Sequence, residues 1–169
     1  EMMKAGIDSF KIEGRMKTAL YVATVARTYR KAIDDYMESE EKYRANMEYY
    51  KREIAKCTYR QFTTGFYFGK TDSESQIYDN NTYVKNHTYI GTVREVTPDG
   101  CVCFEQKNKF LVGEKLEAMG FDGTNIECEV QAIYDEEGNS MDSAPHPKQK
   151  LRVKLDKELE TGIILRRKE

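Results

Sequence analysis

From Thr18 the apolar positions Leu20, Val22, Ala23, Val25, Ala26, Tyr29, Ala32, Ile33 and Tyr36 recur at intervals of three and four. That is the period of an amphipathic α-helix, and it predicts one from Thr18 to about Met37. Residues 39–41 are polar and break or bend it. Tyr43, Met47, Tyr50 and Ile54 resume the spacing to about Cys57, with Glu48 and Arg52 four apart and placed to pair. From Thr88 the period shortens to two. Strands are expected over residues 89–96, 101–106 and 113–119, with a Pro98-Asp99-Gly100 turn after the first. Ile126, Cys128, Val130, Ala132 and Tyr134 alternate with Glu127, Glu129 and Gln131; Leu151, Val153 and Leu155 alternate with Arg152 and Lys154; residues 163–167 close the set. Six short strands joined by turns suggest a small closed barrel or sandwich. The fold class is α+β.

Ahead of the long helix lies SFKIEGRMKTALY, residues 9–21. Phe10 and Ile12 alternate with Lys11, Glu13 and Arg15, so a strand over 7–13 would put its charges on one face. Such a face stays out of a dry core unless its charges are paired. Gly14 allows a sharp turn and Thr18 can cap the helix. A charged strand end, a turn and a helix form one βα unit of a parallel α/β fold, where functional groups gather at strand ends. One such unit has no sheet to join on its own, so residues 1–40 are expected to pack differently from a complete barrel. Residues 1–6 read as the end of a helix closed by Gly6. The division expected is 1–70 for the βα unit with its helical extension, 71–87 for a polar linker and 88–169 for the β-rich part.

Composition narrows the classes. The chain has 169 residues, 33% charged, with a mean hydropathy of −0.77 and no apolar run of the roughly 20 residues that span a bilayer. No membrane partner is expected. Nothing at the start resembles a signal peptide, and entering structure directly from Glu1 fits a cut piece. Four cysteines without a C-x-x-C pair fit a reducing cytoplasm better than a disulfide or zinc scaffold. Net charge is −2 but uneven. Residues 1–60 hold 13 Lys+Arg against 10 Asp+Glu, and the rest 14 against 19. An acidic β-rich part binds nucleic acid only if a basic face is segregated on it.

The candidate catalytic residues are Lys11, Glu13 and Arg15: Glu as acid or base, Arg and Lys as holders of carboxylate or phosphate. Their bland alternative is a structural ion-pair network. His146, between Pro145 and Pro147, sits in a rigid extended loop that either touches substrate or simply turns the chain. Phe66 and Tyr67, with Tyr59, Phe62 and Phe68 beside Arg60 and Lys70, either stack a single-stranded nucleic acid or plug the joint between helix and sheet. Cys101 and Cys103 share a strand face, with Cys128 as an expected neighbour; core packing outweighs a metal site. Arg166, Arg167 and Lys168 read as a solvated tail or strand edge. No nucleophilic triad and no metal set are visible.

SFKIEGRMKTALYVATVARTYRKAIDDY resembles the conserved segment of the collagenase-like peptidase family, the U-thirty-two peptidases, which also include tRNA and rRNA hydroxylation proteins. TTGFYFG (63–69), EQKNKF (105–110), APHP (144–147) and ILRR (164–167) resemble further pieces in the family's order. The resemblance implies the C-terminal part of a longer protein: the last βα unit of a TIM-like barrel, a helical extension, and a small six-stranded β-barrel like the second domains of translation factors. It implies an inactive fragment of a peptidase-family enzyme, with the β-barrel as an accessory substrate-binding module and Lys11, Glu13 and Arg15 at the active-site mouth. The alternative it offers is a tRNA uridine hydroxylation protein whose β-barrel docks RNA, with Lys11 and Arg15 meeting RNA phosphate or a carboxylate donor. Partners are therefore a peptide or protein substrate, or tRNA. No cofactor is expected in this fragment, because the family's cysteine-rich signature lies outside it. Self-association through an exposed strand edge is a third, purely structural reading.

Overall fold

A computed structural model describes residues 1–58, 62–71 and 85–169 of the chain. Most of the expected linker, with Tyr59 and Arg60, lies outside the described residues. Three helices come first: α1 (Ala19–Glu38), α2 (Glu40–Ala45) and α3 (Met47–Ile54). Thr18 caps α1 by accepting from the Tyr21 N–H, and Ser39 ends α1 while capping α2. Glu48 pairs with Lys51 at 3.0 Å rather than with Arg52. No helix among the described residues is long and apolar enough to cross a membrane.

The helices fold back on one another around Asp35. Its carboxylate is 3% exposed and accepts from the Tyr50 hydroxyl at 2.6 Å and the Asn46 amide at 3.0 Å, with Lys31 at 3.3 Å. Burial works against the charged form, but these donors outweigh it and hold the carboxyl below its usual range. Burial and the Asp35 carboxylate together push the Tyr50 phenol up. Tyr50→Phe removes a hydrogen bond to a buried charge, and should cost about 2 kcal/mol in urea unfolding with an unchanged m-value.

The remainder is antiparallel sheet. Its strands are β1 (His87–Thr92), β2 (Glu95–Val96), β3 (Cys101–Glu105), β4 (Phe110–Leu111), β5 (Lys115–Met119), β6 (Asn125–Tyr134), β7 (Ser140–Met141), β8 (Ser143–Ala144), β9 (Lys150–Leu155) and β10 (Ile164–Lys168). Eight of them form one sheet in the order β1-β10-β5-β6-β9-β3-β2, with β7 on β6; β4 and β8 pair separately. The α+β class stands, but the expected six-stranded barrel gives way, among the described residues, to a separate two-stranded ladder and eight strands in a sheet that is not closed. Its two end strands, β1 and β2, are consecutive pieces of one stretch, interrupted where Val93 bonds to Ile163 and Arg94 to Cys103.

One core lies inside the curve of this sheet, around Ile90, Phe104, Phe110, Leu116, Val130, Ile133, Val153 and Leu165. Leu151, Val153 and Leu155 point inward as the alternation predicts. In β6 the alternation holds at Cys128 and Val130, whereas Ile126, expected on the same face, is exposed; beyond Val130 it flips. A bulge between Val130 and Ala132 turns Ile133 inward, and Ala132 and Tyr134 outward. Gly91 sits at the bulge in β1. A Cβ there would lie 2.4 Å from the Phe104 ring, so only glycine lets β1 cross it.

Residues 7–14 join no sheet among the described residues. The strand expected over 7–13 is therefore not formed here. Its backbone groups have no neighbouring strand to bond, and an isolated strand is not a stable unit. Residues 1–6 make a turn ending at Gly6 (φ +77) rather than the end of a helix, and Lys4 reaches Glu40 at 2.7 Å.

Candidate functional site: a buried charge junction and a basic outer face

Lys11, Glu13 and Arg15 are all exposed. The Glu13 carboxylate accepts only from the neighbouring Arg15 backbone N–H, at 2.9 Å, and no ion pair links the three among the described residues. Phe66 and Tyr67 lie on an exposed turn, Tyr67 edge-on to Phe68 at 4.8 Å. Phe62, Phe66, Tyr67 and Phe68 are between 51% and 77% exposed, which overturns their reading as a plug between helix and sheet. His146 is exposed in its loop. The structure brings none of these groups into one cluster.

The cysteines do not converge either. Val102 and Phe104 take the core face of β3, leaving Cys101 and Cys103 on the other, whereas Cys128 is in the core. Burial pushes the Cys128 thiol up to about 12, away from reactivity. No group of three His, Cys, Asp or Glu among the described residues is placed to hold a metal ion.

A buried polar cluster was hidden in the sequence. Leu165 of β10 faces the core, and Arg166, next along the strand, points the other way beneath the helices, where it is fully buried. Its guanidinium donates to Glu53 of α3 at 3.0 Å and to Glu117 of β5 at 2.6 Å. Arg27 of α1 donates to the same Glu53 at 2.6 Å, to Asn125 at 2.9 Å, and to the carbonyls of Gly120 and Thr124 at 3.0 Å each. Lys56 bridges Glu53 at 2.7 Å and Glu117 at 3.0 Å. Burial disfavours both carboxylates, but Lys56 and Arg166 hold them ionised and below their usual range. His87, at the edge, has its pKa lowered by burial and by Arg166. The solvated-tail reading of Arg166 is thus corrected, and Arg167 pairs with Glu114 at 3.0 Å. This junction is closed to substrate, and its chemistry is to clamp helices to sheet. The one hint in sequence is polar: Thr24, Arg27 and Thr28 lie on the face of α1 that its period otherwise turns inward.

The accessible chemistry lies on the outer face of β9. Lys150, Arg152 and Lys154 point outward, and across the ladder stand Glu105, Cys103 and Cys101 of β3. Arg152 lies over the Tyr134 ring at 4.8 Å. At the β1 end a groove of about 450 Å³ is lined by Tyr89, Thr92, Arg94, Cys103, Lys107 and Lys150, among others. Exposed Lys148 adds to the positive field on Glu105, whose carboxyl is held low first by Lys107. Arg94, Lys107 and Lys148 add three further cations around Lys150, Arg152 and Lys154, and the acids nearby are Glu95, Asp99, Glu105 and Glu136, with Asp156 and Glu158 at the Lys154 end. The cations of β9 share one face of a part of the chain whose overall balance is acidic.

Comparison with known proteins gives two family matches in succession along the chain. Residues 1–77 match the model of peptidase family U32, and residues 85–166 that of the peptidase family U32 C-terminal domain. The chain is 36% identical over 168 residues to tRNA hydroxylation protein P1 of Bacillus subtilis, covering 99% of this chain and 40% of that protein. It is 32% identical over 125 residues to a collagenase of Porphyromonas gingivalis, covering 71% of this chain and 34% of that one. Among solved structures, the C-terminal domain of a Geobacillus thermoleovorans U32 peptidase aligns at 30% identity and a TM-score of 0.43, covering 47% of this chain and 99% of that one. The chain thus spans about 40% or less of the length of these curated relatives. With the helical segment matched by one model and the sheet by the other, in the order the chain presents them, this protein belongs to peptidase family U32.

Proposed function

We propose that this chain is the C-terminal part of a cytoplasmic tRNA-modifying enzyme, with the outer face of β9 as its RNA-docking surface. The observation that carries this reading is the segregation of Lys150, Arg152 and Lys154 on one face of a sheet with an acidic balance. Phosphate binding needs clustered cations, and the alternation of β9 supplies them while Leu151, Val153 and Leu155 anchor the strand. The tRNA hydroxylation name belongs to a relative aligned over nearly the whole chain, and the collagenase name to one aligned over less of it. Lys11, Glu13 and Arg15 are assigned to the active-site mouth of the whole protein, where the missing portion supplies the rest of the site. Phe66, Tyr67 and His146 remain substrate-side candidates, since all three are solvent-facing.

The test is a mass-spectrometric nucleoside profile of tRNA from cells lacking the full-length protein. A hydroxylated uridine should disappear. Wild type should restore it; Arg15→Ala and the triple reversal Lys150→Glu/Arg152→Glu/Lys154→Glu should not. Three lost phosphate contacts and the added repulsion should weaken tRNA binding at least 100-fold at low salt. An unchanged profile in the deletion strain overturns the reading and makes gelatin cleavage by the intact protein the next assay.

A further inference from the structure

The basic face has one place that is more than a charged surface. The groove at the β1 end combines a half-buried aromatic wall with the cations Arg94, Lys107 and Lys150, the acids Glu95 and Glu105, of which Glu105 is paired with Lys107, and the buried Phe104 and Leu151. In β1 only Tyr89 and Thr92 are partly exposed, and the Tyr89 hydroxyl is bonded to the Thr92 hydroxyl at 2.8 Å, which fixes the ring against the strand. Asn108 donates to the Tyr89 carbonyl at 2.7 Å and holds the 107–109 turn beside it. Arg94 is exposed and has no ion-pair partner among the described residues, although its charge helps hold the Glu105 carboxyl low; its backbone N–H bonds to the Cys103 carbonyl at 2.8 Å. The Lys150 partner is Glu136 at 3.4 Å, with both side chains more than half exposed, so this pair is readily exchanged for a phosphate.

Resting on the RNA reading above, we propose that this groove is a subsite for one unpaired nucleotide: the base stacks on Tyr89, and the flanking phosphates meet Arg94 and Lys150. Its volume of about 450 Å³ falls in the range of small-ligand pockets. A stacking ring beside an unpaired guanidinium is the arrangement that takes single-stranded nucleic acid without base readout. Binding here should therefore favour a loop or end of RNA over a helix, and be tolerant of base identity. The remainder of β9, where Arg152 is already engaged with Tyr134 and Asp99, contributes charge alone.

The experiment is fluorescence anisotropy of a labelled eight-nucleotide single-stranded RNA, titrated with the whole chain at several salt concentrations. Tyr89→Leu should weaken binding about tenfold with little change in salt slope, whereas Tyr89→Phe keeps the ring and should bind like wild type. Arg94→Ala should flatten the log–log salt slope by about 0.7, the value for one single-strand phosphate contact. Lys115→Ala, whose exposed partner Glu127 lies on another part of the sheet, should change neither. Unchanged melting of Tyr89→Leu separates the stacking loss from unfolding. Equal affinity of Tyr89→Leu and wild type, with the β9 triple reversal still abolishing binding, overturns the subsite and leaves the RNA reading intact. No RNA binding by wild type at any salt overturns both. Tighter binding of a labelled acidic peptide than of the RNA, lost in Tyr89→Leu, assigns the groove to a protein partner and overturns the subsite as stated.

Discussion

Glu53→Gln is expected to lower the stability of the chain by about 3–5 kcal/mol, the cost of removing one partner from a buried ionic cluster. The Glu53 side chain is 3% exposed and is the shared acceptor of Arg27, Lys56 and Arg166. The cluster holds those three cations against Glu53 and Glu117. Neutralising Glu53 leaves Glu117 alone opposite them, with Arg166 fully buried. For a chain of this size the loss corresponds to a fall in Tm of roughly 10 °C. Glu48→Gln breaks an exposed pair of the same helix and should cost less than about 0.5 kcal/mol.

The same cluster, with the buried Asp35 carboxylate, shapes the acid side of the stability curve. The folded pKa values of Glu53 and Glu117 lie below the ordinary 4.5 because Lys56 and Arg166 outweigh the burial penalty. A depressed carboxylate contributes stability that is fully present above its unfolded pKa and lost as pH falls through the folded one. Denaturant midpoints should therefore hold steady above about pH 7, decline gently below about 6.5, where protonation of His87 is resisted by the fold, and fall steeply below about 4.5, where the two carboxylates protonate. The fall should be shallower in Glu53→Gln, which has already lost one of the two groups. Equal acid slopes in both proteins would show that the clamp is not what titrates.

The junction also shows where sequence reasoning stops. Helix α1 is legible because one element's own period decides its existence and Thr18 supplies the cap, although the buried face is Leu20, Thr24, Val25 and Thr28 while Val22, Ala26 and Tyr29 of the apolar series face solvent. Strand β9 is legible for the same reason. Strand β6 is legible only to Val130, because the bulge beyond it depends on pairing with β9 and leaves no local mark. Arg166 is illegible in principle. A basic residue near a chain end is ordinarily solvated, and it is buried here only because α1 and α3 bring Arg27 and Glu53, more than 100 residues away, over the outer face of β10. Lys11, Glu13 and Arg15 pose the opposite problem. Their alternation is plain, but a strand exists only with a neighbour, and these residues offer none. The RNA-docking candidates were missed because net charge averages over faces that the pleat separates.

Phe110→Ala should cost about 3–5 kcal/mol, as truncating a core phenylalanine does when the cavity cannot collapse. Phe110 is fully buried and packs on Phe104 with ring centroids 5.9 Å apart and planes at 28°. Its backbone pairs with Ala144 in the small β4–β8 ladder. Four residues earlier, Gln106 donates through its side-chain amide to the Ala144 carbonyl and through its backbone N–H to the Gln149 carbonyl, at 2.8 Å for the latter; its own carbonyl accepts from Lys148 at 3.0 Å. The two sequence pieces EQKNKF and APHP, remote in the chain, are thus one packing unit, and it sets where His146 and Lys148 stand. Lys148 is held at a φ of +64, a conformation that a non-glycine residue keeps only when its surroundings impose it. Phe110→Leu preserves most of the apolar volume and should cost under about 1.5 kcal/mol. In Phe110→Ala, amide exchange should rise first over 144–149, ahead of β9, because that loop rests on the ring and on Gln106. A loss below 1 kcal/mol, or exchange rising uniformly across the sheet, would mean that the two pieces are held apart from the core and that His146 is placed by its prolines alone.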